Sequence, residues 1–261
     1  MNEKQPNSDQ PGDEQLIKRI ASLEEKLQLI QTSNHYIWTL FTETARGLQL
    51  SSTSIKVAVS SLLSHDIFWD PPNQHEFLET INESTNKITQ LVALLTLAFR
   101  AEAGSLVLNP EPQVLQEILA IIQNKTNARF TDLQIDLMMS SSEKTVHIDY
   151  EYSIMAVMYL IDFMHHDPHD DSAVITADER GGLWFVDFIG FNTMAIKQIY
   201  AMCATKIQEP FIEQSSFMPE KILGLHIACE ILNMQQIENV IIEKQGKTGL
   251  RLIFPALSAN N

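Results

Sequence analysis

Four stretches of the chain hold residue types that could do chemistry. "HHDPHDD", residues 165–171, concentrates three histidines and three aspartates, and imidazole with carboxylate could bind Zn²⁺ or another divalent ion. Pro168 disrupts helical spacing there, so the expectation is a solvated loop and no metal. "PEKILGLHIACEILN", residues 219–233, reads as a loop that closes over phosphates and then enters a helix. Such loops usually carry several glycines, because backbone N–H groups must come close to phosphate oxygens, yet this one has Gly224 alone. Ser51, Ser52, Thr53 and Ser54 offer hydroxyls for phosphorylation, but hydroxyls on a helix commonly bond the backbone carbonyl one turn back. Cys203 and Cys229 lie in apolar surroundings without CxxC or Cys/His spacing and are expected to be reduced core residues. No Ser/His/Asp or Cys/His set stands at a spacing suited to hydrolysis.

The elements that must position these groups divide into two patterns. Residues 1–13 are polar, lack an apolar signal-peptide core and are expected to form a disordered tail. A heptad follows: Leu16, Ile20, Leu23, Leu27, Ile30, Asn34, Ile37 and Phe41 alternate in steps of four and three. The register runs on through Leu48, Ile55 and Leu62, with Thr44, Ser51 and Ala58 between them, as in a coiled coil or long bundle helix. "SHDIFWDPPNQHE", residues 64–76, is expected to break the helix, and Phe77, Ile81, Ile88, Leu91, Leu95 and Ala98 then resume the same spacing. Two long helices joined by a short loop make an antiparallel hairpin with uncovered apolar stripes. Two hairpins side by side cover them as a four-helix bundle, so residues 14–103 predict a homodimer.

Beyond Gly104 the pattern is mixed. Helices are expected at 114–128, 151–166 and 224–234, and strands at 133–139 and 144–149. "AVITAD" and "LWFVDFIGF" flank Arg180-Gly181-Gly182, a hairpin signal, and "NVIIEK" and "GLRLIFPAL" flank a second turn at 245–248. This order predicts an α/β sandwich over 104–261 with helices on one face of the sheet. Met138, Met139, Met155, Met158 and Met164 are expected to line its core.

Charge bounds the partners. The 18 Lys+Arg stand against 33 Asp+Glu, a formal charge of −15, which argues against nucleic acid and against an anionic membrane surface. No run of about 18 apolar residues exists, so no membrane span is expected and the location implied is the cytoplasm.

The order of elements resembles the transmitter of a sensor histidine kinase, a dimerising helical hairpin followed by an ATPase-like domain. "LQLSSTSIKVAVSSLL" (48–63) looks like the family's segment after its phospho-accepting histidine. The run from Phe130 to Met164 looks like the strand–strand–helix unit carrying the Asn box, "KILGLHIACEILN" like the Gly-rich box, and "GKTGLRLIFPAL" like the last strand. The resemblance covers roughly residues 40–257.

At each position where the family does chemistry, this sequence departs from it. The acceptor histidine falls on Arg46, whose guanidinium is permanently protonated and no nucleophile; the acidic neighbour falls on Gly47 and the proline on Ser51. Counting from Asp149, the two asparagines that help hold Mg²⁺ and the phosphates fall on Tyr159 and Phe163, which cannot serve as hard oxygen ligands. In the adenine-reading loop Asp187 fits the aspartate in one register, with Ile189 and Phe191 at glycine positions and Gly190 out of phase. A register one residue earlier puts Val186 there. In the Gly-rich box Ile222 replaces one glycine and Gly224 remains, with Lys221 too little to rebuild a phosphate cradle.

The resemblance with these losses implies a non-catalytic histidine-kinase-like scaffold without cofactor. It would dock a response-regulator receiver domain, or a related histidine kinase, on the hairpin face carrying Arg46, Gln49, Ser52 and Thr53. Two alternatives stand beside it: an active kinase or phosphatase with divergent motifs, and a sensor whose emptied pocket, lined by Phe163, Ile189, Phe191 and Ile222, takes an apolar small molecule.

Overall fold

The structure is a computed structural model that describes residues 10–63, 71–130, 133–139, 145–165, 172–203, 219–244 and 246–255. Most of the expected break at 64–76 and most of the histidine-rich run lie outside the described residues.

Helix α1 (Gln10–Leu63) packs on α2 (Pro71–Glu102) as a hairpin. Leu40, Thr44, Ser51 and Ala58 of α1 are buried, as are Leu91, Leu94, Ala98 and Ala101 of α2. Small residues bring the helices close: a Cβ on Gly47 would stand 3.3 Å from Leu91 Cδ1. The Thr44 hydroxyl, which the packing buries, donates to Leu40 O at 2.7 Å. The Phe41 and Phe99 rings stack at 4.5 Å. Two boundaries differ from expectation. Helix α1 begins at Gln10, inside the stretch read as a tail, with Pro11 in its first turn. Pro71 and Pro72 open α2 instead of breaking the chain, because a first-turn residue needs no N–H partner. Helix α2 ends as expected near Gly104, whose φ of +61° reverses the chain while the N–H groups of Ser105 and Leu106 return to Arg100 O.

The second part runs β1 (Glu111–Val114), α3 (Leu115–Arg129), β2 (Gln134–Met139), β3 (Thr145–Ile148), α4 (Tyr150–Met164), β4 (Ser172–Arg180), β5 (Leu183–Ile189), α5 (Thr193–Cys203), α6 (Pro219–Met234), β6 (Glu238–Lys244) and β7 (Lys247–Pro255). Five strands form one sheet in the order β2-β4-β5-β7-β6, parallel only between β2 and β4; β1 pairs antiparallel with β3 beside it. Gly181 and Gly182, both at positive φ, make the β4–β5 turn that the sequence signals. Alternation sends Trp184, Val186 and Phe188, with Leu250, Leu252 and Phe254, into the core against the helices. Of the five methionines expected inside, Met164 is buried and Met138 is not: it is 59% exposed, at the end of an edge strand.

One apolar cluster joins both parts, running from Leu40, Leu94, Ala98 and Ala101 of the hairpin into the α/β core. Helix α6 is the link. It touches α4 and α5 on one side and α1 and α2 on the other, and is buried without a break from Leu223 to Cys229. A helix apolar all round needs partners all round, and this one has them. The cysteines are not reduced: Cys203, the last residue of α5, is disulfide-bonded to Cys229 of α6, their Cα atoms 4.9 Å apart. Two neighbouring helices bring together residues that are 26 apart in sequence, a proximity no local spacing reveals.

Candidate functional site

The seam between α4 and α6 brings together the positions that the transmitter resemblance gives to the Asn box, on α4, and to the Gly-rich box, on α6. Asp149 starts α4 by accepting from Tyr152 N at 3.0 Å and from Asn109 N at 2.8 Å, while its own N–H donates to Gln235 Oε1 at 2.7 Å. This cap fixes where α4 starts. Apolar packing turns Leu160, Ile161, Phe163 and Met164 inward, and Tyr159 is half-buried on the side facing α6. Phe163 is only 2% exposed and belongs to the continuous core. Tyr159 packs closely on α6: a Cβ on Gly224 would stand 3.1 Å from its Cδ1 and 3.3 Å from its Cγ. Gly224 is therefore explained by close packing against a ring. Burial pushes the Tyr159 phenol above its ordinary pKa, with Arg129 opposing and Asp162 adding to the rise.

The stretch expected to be a loop up to Gly224 is helix from Pro219 onward. From Leu223 on, each N–H finds its acceptor four residues back within α6, so the backbone donors of Leu223, Gly224 and Leu225 are committed to the helix. Ile222 packs against the core. Lys221 donates to Asp162 O at 3.0 Å and lies 3.8 Å from Asp162 Oδ1, and Arg129 Nη2 reaches Asp162 Oδ2 at 3.2 Å. The cations nearest the seam are thus gathered on the last turn of α4, which strengthens its contact with α6.

Asp187 does not line this seam. Its strand turns Val186 and Phe188 toward the helices, and Asp187 points to the opposite face of the sheet. There it accepts from Arg251 Nε at 2.6 Å and Nη2 at 2.9 Å, and from Lys244 Nζ at 3.1 Å. Burial opposes its charge, but the hydrogen bonds from Arg251 and Lys244 outweigh burial and hold the carboxyl below its usual range. Ile189 shares that outer face, beside Gly249 and Ile242, and is likewise no wall of the seam. Of the positions read as pocket, Tyr159, Phe163, Ile222 and Gly224 come together. Gly190, at φ +87°, ends β5, and Phe191 packs near Phe188.

On the hairpin, Arg46, Gln49, Ser52 and Thr53 are all exposed. Arg46 points to solvent 4.0 Å from Glu43 Oε2. Thr53 donates to Gln49 O at 2.8 Å and Ser54 to Leu50 O at 3.2 Å, the backbone bonding expected of helical hydroxyls.

The sequence reading missed the contacts that tie the hairpin to α6. Glu102, the last residue of α2, meets His226 Nε2 at 2.9 Å, and Lys87 meets Glu220 at 3.3 Å. The His226 hydrogen bond holds the Glu102 carboxyl below its ordinary range. Burial raises that of Glu230 on the next turn, opposed by His226 and reinforced by Glu102. A histidine inside an apolar helix was the available signal. Among the described residues no group of three or more metal-ligating side chains occurs, and no helix is long and apolar enough to cross a membrane.

No family model matches the chain. Over 98 residues it is 33% identical to the sensor protein KdpD of Mycobacterium tuberculosis, in strains CDC 1551 and H37Rv alike. The match takes 37% of this chain and spans only 11% of the length of those curated relatives. Among solved structures, the histidine kinase AdeS of Acinetobacter baumannii superposes with a TM-score of 0.56 at 14% identity, over 81% of this chain and 98% of AdeS. The histidine kinase ThkA, in complex with the response regulator protein TrrA, gives 0.57 at 12% identity over 92% of this chain and 67% of ThkA. Full-length ShkA in complex with AMPPNP gives 0.53 at 13% identity over 82% and 45%. A helical hairpin followed by a mixed α/β domain, this chain has the fold of a histidine kinase transmitter.

Proposed function

We propose that this chain is a non-catalytic, histidine-kinase-like scaffold of a two-component-type pathway, cytoplasmic and without cofactor. The observation that carries the reading is the closed α4–α6 seam. The Tyr159 ring rests on Gly224, Phe163 fills the core below, and the N–H groups of Leu223 to Leu225 are spent inside a helix. A triphosphate and its magnesium need room and oxygen ligands; Phe163 and the Tyr159 ring occupy the room, and neither stands in for an asparagine as a hard oxygen ligand. Arg46 at the acceptor position supports the same conclusion, since it offers no nucleophile.

The scaffold acts as a homodimer through residues 14–103. Leu16, Ile17, Ile20 and Leu23 are each more than half exposed along α1, a stripe that a second copy covers in a coiled coil. Its partner is a response-regulator receiver domain or a related histidine kinase, received on the exposed face of Arg46, Gln49, Ser52 and Thr53. Support for a regulator comes from the fold shared with ThkA, which was crystallised with one.

Titration calorimetry with ATP and Mg²⁺ tests the reading. No heat of binding is expected up to millimolar nucleotide; a micromolar Kd would overturn it.

A further inference from the structure

We propose that the Cys203–Cys229 disulfide is a thiol-exchange site, entered from a cavity beside α5, whose reduction frees α5 from the helix on which hairpin and α/β domain meet. The bond joins the last residue of α5 to the middle of α6. Cys229 lies one turn beyond His226, the residue that meets Glu102 of the hairpin. The oxidation state of this pair therefore bears on a helix that packs against both parts of the molecule.

Access is the second observation. Both cysteines are nearly buried, at 5% and 3% exposed, so a thiol cannot reach them across an open surface. Cys203, however, forms part of the wall of a cavity of about 320 Å³, together with Tyr200, Asn233, Gln236, Ile237, Glu238 and Asn239. That volume admits a low-molecular-weight thiol, and the mixed polar and apolar wall places the charge of Glu238 beside its path. Attack is therefore directed at Cys203 and not at Cys229, which does not line the cavity.

The step balances as thiol–disulfide exchange. A thiolate RS⁻ in the cavity forms an S–S bond to Cys203 Sγ, and the Sγ–Sγ bond breaks with its electron pair leaving on Cys229, which takes up a proton. A second RS⁻ attacks the sulfur of the first, releasing RSSR and a Cys203 thiolate. Two thiols are oxidised and one cystine is reduced; the reverse sequence, with a small disulfide as oxidant, restores the bond. This proposal is independent of the scaffold reading, because it requires nothing of the α4–α6 seam or of the docking face.

The test uses the full chain. Maleimide mass-tagging of the air-oxidised protein, unfolded in denaturant, is expected to find no free thiol, and two after dithiothreitol. Closing a loop of this length is a constraint on the unfolded chain, so reduction is expected to lower Tm by about 10 °C. Hydrogen exchange should rise in α5 and α6. Cys229→Ser should match the reduced chain and ignore dithiothreitol; should it fail to fold, the reduced wild type supplies the same comparison. The entry route is tested by Glu238→Lys at an exposed cavity residue. The ratio of reduction rates by mercaptoethanesulfonate and by cysteamine should rise about fivefold, since the first carries more negative charge past residue 238. Two free thiols in the oxidised chain, or a Tm indifferent to dithiothreitol, would overturn the exchange site; an unchanged ratio would overturn entry through the cavity.

Discussion

The α4–α6 seam and the hairpin face around Arg46 have both lost the residues that the transmitter resemblance calls for, but in opposite physical settings. In the seam the replacements are large, apolar or aromatic, and built into the packing: Phe163 is in the core and Tyr159 rests on Gly224. On the hairpin the replacement is a charged side chain, 72% exposed, that touches little besides Glu43. In the seam the departures from the family's residues are part of what holds the fold together. On the hairpin the departure leaves the fold indifferent and the surface open. Restoring the family's residue should therefore be costly in one region and nearly free in the other.

The largest effect is expected from Phe163→Asn. It removes an aromatic ring from the core and leaves an amide where the neighbours are apolar, so urea unfolding should show a loss of about 4 kcal/mol or more. It should not confer ATP binding, because Tyr159 and the helical α6 remain. A loss below about 1 kcal/mol would mean that the seam is not packed as described.

An intermediate effect belongs to the outer sheet face, where Asp187 is held by Arg251 and Lys244. Arg251→Met leaves a carboxylate, 4% exposed, with Lys244 as its remaining cation, and should cost about 2 kcal/mol at pH 7. The folded pKa of Asp187 lies below its unfolded value, so the stability it contributes is full above about pH 3.9 and is lost as pH falls through the folded value. The gap between wild type and variant should hold from pH 7 to about 5 and shrink below 4. A gap of constant size down to pH 2 would show that the charge of Asp187 is not what Arg251 serves.

Much of this arrangement was open to a reader of the sequence. The heptad from Leu16 to Leu62 is long enough to exclude other periods, and the Arg180-Gly181-Gly182 turn fixes the β4–β5 hairpin. The face of Asp187 was not legible: Trp184, Val186 and Phe188 share one parity, but Leu183, Phe185 and Ile189 share that of Asp187 and are apolar too, so alternation leaves the inward face open. Strand β1 was not legible, because four residues that include Pro112 carry no alternation; its pairing with β3 makes it a strand. Nor was the start of α6. A single glycine in "KILGLHIACEIL" suits a phosphate loop or a helix crossing, and the ring of Tyr159, more than 60 residues earlier, decides between them. The disulfide and the Glu102–His226 contact depend likewise on residues far apart in sequence meeting in space.

The smallest effect on stability, and the one that separates the two regions most cleanly, is expected from Arg46→His. The substitution puts the family's acceptor residue type where the resemblance requires it. Arg46 is exposed, and its 4.0 Å approach to Glu43 is a surface pair, so stability should move by no more than about 0.5 kcal/mol. An imidazole there would have a nucleophilic nitrogen, and on the proposed scaffold reading it has no bound ATP to attack, so incubation with γ-labelled ATP should leave the variant unlabelled. The same protein should accept label from a separate, intact histidine kinase no better than wild type unless a receiver domain carries the phosphoryl group between them. Labelling of the variant alone, with ATP and Mg²⁺ and no partner, would mean that the seam opens to nucleotide in solution, and the contrast between a sealed interior and an open hairpin face would no longer hold.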